Sequence, residues 1–506
     1  MRKRVAIIGA GASGLPAIRH ALLYDFEPVC FEMSTAIGGL WRYKPEETDQ
    51  SSVMKSTVIN TSKEMTAYSD FPPPAEFANF MHNSQLLAYF EMYAKEYDLK
   101  KYIRFEHKVL QIERTDHFEE EGTWNVIYAD ESDQKHAETF DAVLVASGHH
   151  TTPHIPQKWP GQDDYKGRIL HAHSYKDYRG FEDKQVVVVG VGNSGGDIAV
   201  ELSRISKQVQ LVTRRGTWVF NRVYDNGQPY DVALGSRLSQ TLRSLLPLWF
   251  INGQFEKILN RRFDHAVYGL KPKHRVASAH PTINDELPTR IACGKIVVRP
   301  NIESFTKNGI VLKDGCSIGD VDAVILATGY SFQFPFVENG NLLKVRDNNV
   351  QLYKYMFPLD TVEHNTLAVL GLIQPIGSIM PIAEMQARLF YDTLAGTTVL
   401  PSRENMKLDI EKKRAEMAER YVASPRHTIQ VDAGVYMDEL ANLMKCTPNL
   451  LKLFFTDLSL WRACLNGPLV SYQYRLHGPH RWPGAREALL TVEERILAPM
   501  RTRKVD

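Results

Sequence analysis

Two glycine turns in this chain have the form that grips a pyrophosphate. The first, Gly9-Ala10-Gly11-Ala12-Ser13-Gly14, follows an apolar run at residues 5–8; the second, Gly190-Val191-Gly192-Asn193-Ser194-Gly195, follows one at residues 186–189. Between a β-branched strand and a helix start, such a turn aims backbone N–H groups and the positive end of the helix at an anion. The residues that close the following strand differ in charge. After the first turn, Pro28-Val29-Cys30-Phe31 ends in Glu32, a carboxylate able to accept hydrogen bonds from an unphosphorylated ribose diol, which suits FAD. After the second, residues 209–212 run into Thr213-Arg214-Arg215, two guanidiniums with no acid to repel a 2′-phosphate, which suits NADPH. Arg214 is the preferred phosphate partner and Arg215 the spare, with a solvated surface charge as the other reading of either. One fixed and one exchangeable dinucleotide on a single chain point to hydride transfer.

The elements that must position these turns are legible from an internal echo. Asp141-Ala142-Val143-Leu144-Val145-Ala146-Ser147-Gly148 returns as Asp322-Ala323-Val324-Ile325-Leu326-Ala327-Thr328-Gly329, each a buried strand ending where the chain passes close to a dinucleotide. The expected fold is therefore α/β, with two Rossmann-like dinucleotide-binding domains. Residues 1–153 and 330–445 would form a discontinuous FAD domain, and 154–329 the NADPH domain. Regular alternation stops after Arg215 and resumes near Ile296, so residues about 222–295 read as a helical insertion, and 446–506 as a helical, turn-rich end.

Composition excludes several classes. The chain has 506 residues, 24% charged and 43% hydrophobic, enough for more than one sizeable core. A net charge of +1, without a long Lys/Arg run, offers no field for nucleic acid. The five cysteines are scattered and never spaced C-x-x-C, which argues for a reducing compartment and against a dithiol centre. The first residues lead straight into a strand, so no removable signal peptide is expected. The most apolar stretch, residues 367–383, is broken by Gln374, Pro375, Gly377 and Pro381, and no membrane-spanning helix is expected.

Between the turns, Tyr165-Lys166-Gly167-Arg168-Ile169-Leu170-His171-Ala172-His173-Ser174-Tyr175 resembles the F-x-G-x-x-x-H-x-x-x-[FY] fingerprint of the flavin-containing monooxygenases, departing only in Tyr165. Gly38-Gly39-Leu40-Trp41, Asn60-Thr61-Ser62-Lys63-Glu64-Met65, Ala327-Thr328-Gly329-Tyr330 and Gly371-Leu372-Ile373-Gln374-Pro375 also look like the animal type of that family, over nearly the whole chain. The resemblance implies reduction of FAD by NADPH, reaction with O2 to a C4a-hydroperoxyflavin, and transfer of one oxygen to a soft nitrogen or sulfur of a small molecule, while NADP+ stays bound. It implies that Asn60 is the central catalytic residue, an amide that can face the flavin and the nicotinamide without leaking a proton; a turn residue or a sequon is the alternative. Thr61 and Ser62 share its motif. Leu40 and Trp41 are expected against the flavin, or else as ordinary apolar anchors; Val109 at the adenine, or else as a plain buried strand residue; and Gln374 in a broken loop whose N–H groups could reach the flavin. Ser194, with outward N–H groups of Gly195 and Gly196, would meet the NADP pyrophosphate, and Asp197 would stand beside it or act as a cap. His171 is expected to bond backbone at the domain crossing, and a metal site at His149, His150, His171 and His173 is rejected for want of ligand spacing.

A disulfide reductase shares the layout but needs a cysteine pair to pass electrons on, and the sequence has none. Two alternatives stay open: an NADPH-binding flavoprotein without oxygenase activity, and Baeyer-Villiger oxygenation of ketones, each of which needs only the cofactors. Because the chain ends polar and basic, at residues 498–506, membrane contact is expected to be peripheral, at the cytosolic face of the endoplasmic reticulum. It would use residues 238–259, flanked by Arg237, Arg243, Lys257, Arg261 and Arg262, or residues 450–465, with Leu450, Phe454, Leu458, Trp461 and Leu465 on one face. Core or subunit packing, the latter in a homo-oligomer, is the alternative use of both.

Overall fold

The computed structural model describes residues 2–424 and 427–503, so Lys504 to Asp506, the end of the polar tail, lie outside the described residues. Two five-stranded parallel sheets carry the two turns. Their strands are β1 (Arg4–Ile8), β2 (Glu27–Glu32), β3 (Ile103–Phe105), β4 (Ala142–Val145), β5 (Arg168–His171), β6 (Gln185–Val189), β7 (Gln208–Val212), β8 (Ile296–Arg299), β9 (Ala323–Leu326) and β10 (Leu367–Val369). The first sheet runs β10-β4-β1-β2-β3 and the second β8-β7-β6-β9-β5. Val186, Val187 and Val188 are fully buried, as are Val5, Ala6 and Ile7. Both faces of a parallel sheet are covered, which is why these strands read as unbroken apolar runs.

In both sheets the central strand, β1 or β6, has neighbours on either side, and the strand order reverses at its carboxyl end. In such sheets that reversal is where ligands bind. Helix α1 (Gly14–Leu23) follows the first turn and α2 (Asn193–Leu202) the second. The echoed strands β4 and β9 lie beside β1 and β6, and beyond them Ala146 N–H donates to Ile8 O and Ala327 N–H to Val189 O. The two crossings then pair with each other, Thr152–Pro153 running antiparallel to Tyr330–Ser331. β10 returns to the edge of the first sheet after the second is complete.

The segment after Arg215 holds helices α3 (Arg237–Ser244) and α4 (Leu248–Arg262), but it is not wholly helical. Thr282–Ile283 pairs parallel with Val219–Phe220 and brings residues 282–285 against α2. Near the end, α5 (Leu450–Thr456) and α6 (Leu458–Asn466) replace the single helical face expected there. Asp457 breaks it by turning extended and capping α6, its Oδ1 accepting from Leu460 N–H at 3.1 Å. Leu450 consequently packs inward, and the outward residues are Leu451, Phe454, Phe455 and Leu458.

Candidate functional site

The two glycine turns are stereochemical copies. Gly9 N–H donates to Phe31 O at 2.8 Å and Gly190 N–H to Val212 O at 2.9 Å. A Cβ on Gly14 would lie 1.9 Å from Gly9 O, and one on Gly195 would lie 2.0 Å from Gly190 O. Only glycine lets helix and strand approach that closely. Gly9 and Gly190 also hold positive φ, at 104° and 108°.

At the first turn, Gly38 N–H donates to Ala10 O, and Gly39 presses on Gly11, so the 38–41 bend braces the cradle. Ala12 O accepts from the Tyr68 hydroxyl, and Ser13 Oγ stands against Gly371. Leu40 and Trp41 are half-buried on the bend, Trp41 against the main core. Glu32 is buried at the end of β2; its Oε2 accepts from Ala10 N–H at 2.8 Å and its Oε1 from Ser34 N–H and Oγ. A carboxylate has about four acceptor directions, so one on Oε2 is left for a ribose hydroxyl. A cavity of about 530 Å³ opens beside it, lined by Met33, Ser34, Lys44 and Glu106 among others. Val109 is half-buried in the strand Lys108–Arg114, opposite Tyr128. Gln374 departs from expectation: it opens the short strand Gln374–Ile376, and its N–H is taken by Ile429 O at 2.7 Å, so only its side chain is free to face a ligand. A larger cavity, about 1120 Å³, lies against the helix Arg403–Arg420, away from both turns.

At the second turn, Ser194 is exposed at the helix start, and Gly192 faces open space where a Cβ would meet nothing within 4 Å. Gly196 corrects the expected pair of outward N–H groups. With Gly192 as N-cap, Gly196 is the first residue whose N–H closes a helical turn, and it donates to Gly192 O at 2.8 Å. Its missing Cβ serves packing against Thr282 instead. Asp197 does not cap the helix. Its Oδ1 accepts from Asn284 Nδ2 at 2.8 Å, and burial pushes its carboxyl up to about 6 against the pull of Arg222. Thr213 Oγ1 accepts from Gly216 N–H, while Arg214 and Arg215 are exposed with no carboxylate partner among the described residues.

Asn60 lies where the two halves meet. Its Oδ1 accepts from the Arg222 guanidinium at 2.8 Å, and Asp285 holds that guanidinium by an ion pair at 3.0 Å. Thr61 Oγ1 bonds Thr66 Oγ1, and Ser62, fully buried, donates through N–H and Oγ to Asp231 Oδ2. Burial pushes the Asp231 carboxyl up to about 6, and its Oδ1 has no partner. Arg222, Asp231, Asn284 and Asp285 were not singled out from sequence, since they fall in a stretch read only for its apolar helical pattern. Neutral imidazoles flank the crossing: burial holds His171 and His280 down to about 4. His171 Nδ1 accepts from His173 N–H, and its ring packs edge-on against Tyr330.

The donor sets fit a dinucleotide at each turn, with an acidic strand end at one and free guanidiniums at the other. They define a flavoprotein oxidoreductase that takes a nicotinamide dinucleotide as its second cofactor. The flavin-binding monooxygenase-like family model matches residues 2–506, and the chain belongs to that family. It is 50% identical to flavin-containing monooxygenase 5 of Oryctolagus cuniculus, covering 99% of this chain and 94% of the relative. With flavin-containing monooxygenase 2 of Homo sapiens it shares 44% identity, again over 99% and 94%. Among solved structures, S-allyl-L-cysteine S-oxygenase from Allium sativum superposes with a TM-score of 0.67 at 24% identity, covering 91% of this chain and 93% of that one. NADP+-bound cyclohexanone monooxygenase from Rhodococcus has a TM-score of 0.61 at 15% identity, over 88% and 98%; both likenesses speak for the fold. The protein is an FAD- and NADPH-dependent monooxygenase.

Proposed function

We propose that the chain oxygenates soft nucleophilic nitrogen or sulfur atoms of small molecules. NADPH supplies a hydride, and one atom of O2 goes to the substrate and the other to water. FAD supplies the oxygen-transfer chemistry when bound. Residues 1–153 with 330–445 hold FAD through Gly9, Ala10, Gly11, Ala12, Ser13, Gly14 and Glu32, with Leu40, Trp41, Thr61, Ser62, Val109 and the Gln374 side chain around it. Residues 154–329 hold NADPH through Gly190, Gly192, Ser194, Gly195, Thr213 and Arg214, with Gly196 and Asp197 shaping the helix start. Residues 446–503 pack over these units.

The observation that carries this reading is the Asn60 amide, whose Nδ2 has no protein partner among the described residues while its Oδ1 is held by Arg222. A soft lone pair attacks without first losing a proton, so the site needs a neutral donor more than a base. Asn60→Ala is expected to keep its FAD and its NADPH-driven flavin reduction, while product per NADPH falls roughly tenfold or more and hydrogen peroxide rises in its place. Product yield equal to the parent protein contradicts the role of Asn60.

A peripheral membrane position fits one surface. Leu245 is 75% exposed, Trp249 69%, Leu451 73% and Phe455 77%, and α3, which precedes the first pair, packs against α6, which follows the second. No helix among the described residues is long and apolar enough to cross a membrane. Of the flanking cations, Arg237 is unavailable to a headgroup because it turns inward onto Gln473 and Asp438. The remaining patch supports attachment at a membrane surface, for which the family resemblance suggests the cytosolic face of the endoplasmic reticulum.

A further inference from the structure

We propose that Arg222 is a positioning residue that fixes which end of the Asn60 amide faces the cofactors. This rests on the reading of Asn60 above. Every nitrogen of the Arg222 guanidinium has an acceptor: Nε donates to Ile59 O at 3.3 Å, one terminal nitrogen to Asp285 Oδ2 at 3.0 Å, and the other to Asn60 Oδ1 at 2.8 Å. The backbone is tied as well, with Arg222 N–H donating to Asp285 Oδ1 and Arg222 O accepting from Tyr230 N–H at 2.7 Å. The side chain is only 13% exposed. A planar fork held at every nitrogen cannot swing.

The consequence for Asn60 follows from donor chemistry. A guanidinium has no acceptor, so only the carbonyl end of the amide can face it, and the NH2 end must point away. Without Arg222 the amide is free to flip. With it, Asn60 presents a donor to the cleft.

The clamp also joins the two halves of the molecule. Ile59 and Asn60 belong to the stretch that follows the first turn, whereas Asp285 is neighbour to Asn284, which holds Asp197 on α2. The segment bracing the NADPH-side helix thus also anchors the arginine that aims Asn60. Asp285 is the second positioning residue of the set.

The test compares the parent holoenzyme with Asn60→Ala, Arg222→Gln, Arg222→Lys and the double variant Asn60→Ala/Arg222→Gln. Product per NADPH and peroxide are measured, together with FAD content and the change in flavin absorbance on titration with NADP+. Arg222→Gln is expected to keep FAD and to reduce its flavin within about twofold of the parent rate. Its product yield should fall toward that of Asn60→Ala, and its NADP+ difference spectrum should change shape. Arg222→Lys should fall between, because an ammonium reaches one acceptor but cannot hold three. The double variant should be no worse than Asn60→Ala alone, since two residues acting through one amide are not additive. Parent-like yield in Arg222→Gln beside a low yield in Asn60→Ala overturns the clamp alone, as does additive loss in the double variant. Parent-like yield in Asn60→Ala overturns the clamp together with the reading it rests on. Loss of FAD in both arginine variants makes Arg222 a merely structural residue and likewise overturns it.

Discussion

Two side chains at the NADPH side make separable predictions. Arg214 stands exposed and unpaired by any carboxylate among the described residues, as a phosphate partner must before its ligand arrives. A charge-assisted hydrogen bond of about 2 kcal/mol corresponds to roughly thirtyfold in affinity, so Arg214→Glu should abolish the preference for NADPH over NADH while flavin content stays whole. Unchanged preference in both this variant and Arg215→Glu contradicts the assignment. Asp197 contributes a pH dependence that can be isolated by substitution. Its carboxyl is raised from 3.8 to about 6, chiefly by burial. Between those values the folded chain keeps a proton that the unfolded chain has released. Stability from this group is therefore present below the window and lost as pH rises through it. Asp197→Asn should melt close to the parent at about pH 4 and gain on it by a degree or two at about pH 7. A gap that stays the same at both pH values contradicts the shifted carboxyl. Asn60 was legible because a local motif marks it. Arg222 was not, because its acceptors, Ile59 O, Asn60 Oδ1 and Asp285 Oδ2, come from two distant stretches and no spacing announces them.

Among elements, the glycine turns were legible because each is a local device: strand, turn, helix and closing strand follow in order. The segment after Arg215 was less so. Thr282–Ile283 is too short to show alternation, yet its pairing with Val219–Phe220 carries Asn284 and Asp285 to the site. Residues 450–465 have helical apolar spacing, but Asp457 interrupts them and turns a different set of rings outward. The outward set predicts behaviour. In flotation with anionic vesicles at low salt, the parent protein should rise with the lipid, and Trp249→Asp with Phe455→Asp should stay largely in the soluble fraction with FAD retained. A parent protein that remains wholly soluble and elutes as a dimer assigns the patch to a second copy of the chain.

At the scale of the whole molecule, the α/β class and its two sheets were readable because buried parallel strands are apolar on both faces, and because the echo at residues 141–148 and 322–329 marks strands β4 and β9. What sequence could not supply was the contact between the two halves, which is made by single polar side chains with no periodic pattern. The central claim is that these halves bring NADPH, flavin and O2 together to put an oxygen atom on a soft heteroatom. It is tested most directly by turning over a small thioether with NADPH under isotopically heavy O2. One heavy oxygen atom in the sulfoxide for each NADPH consumed is the predicted result; NADPH consumed with hydrogen peroxide as the only oxygen product, or a sulfoxide oxygen derived from water, contradicts it.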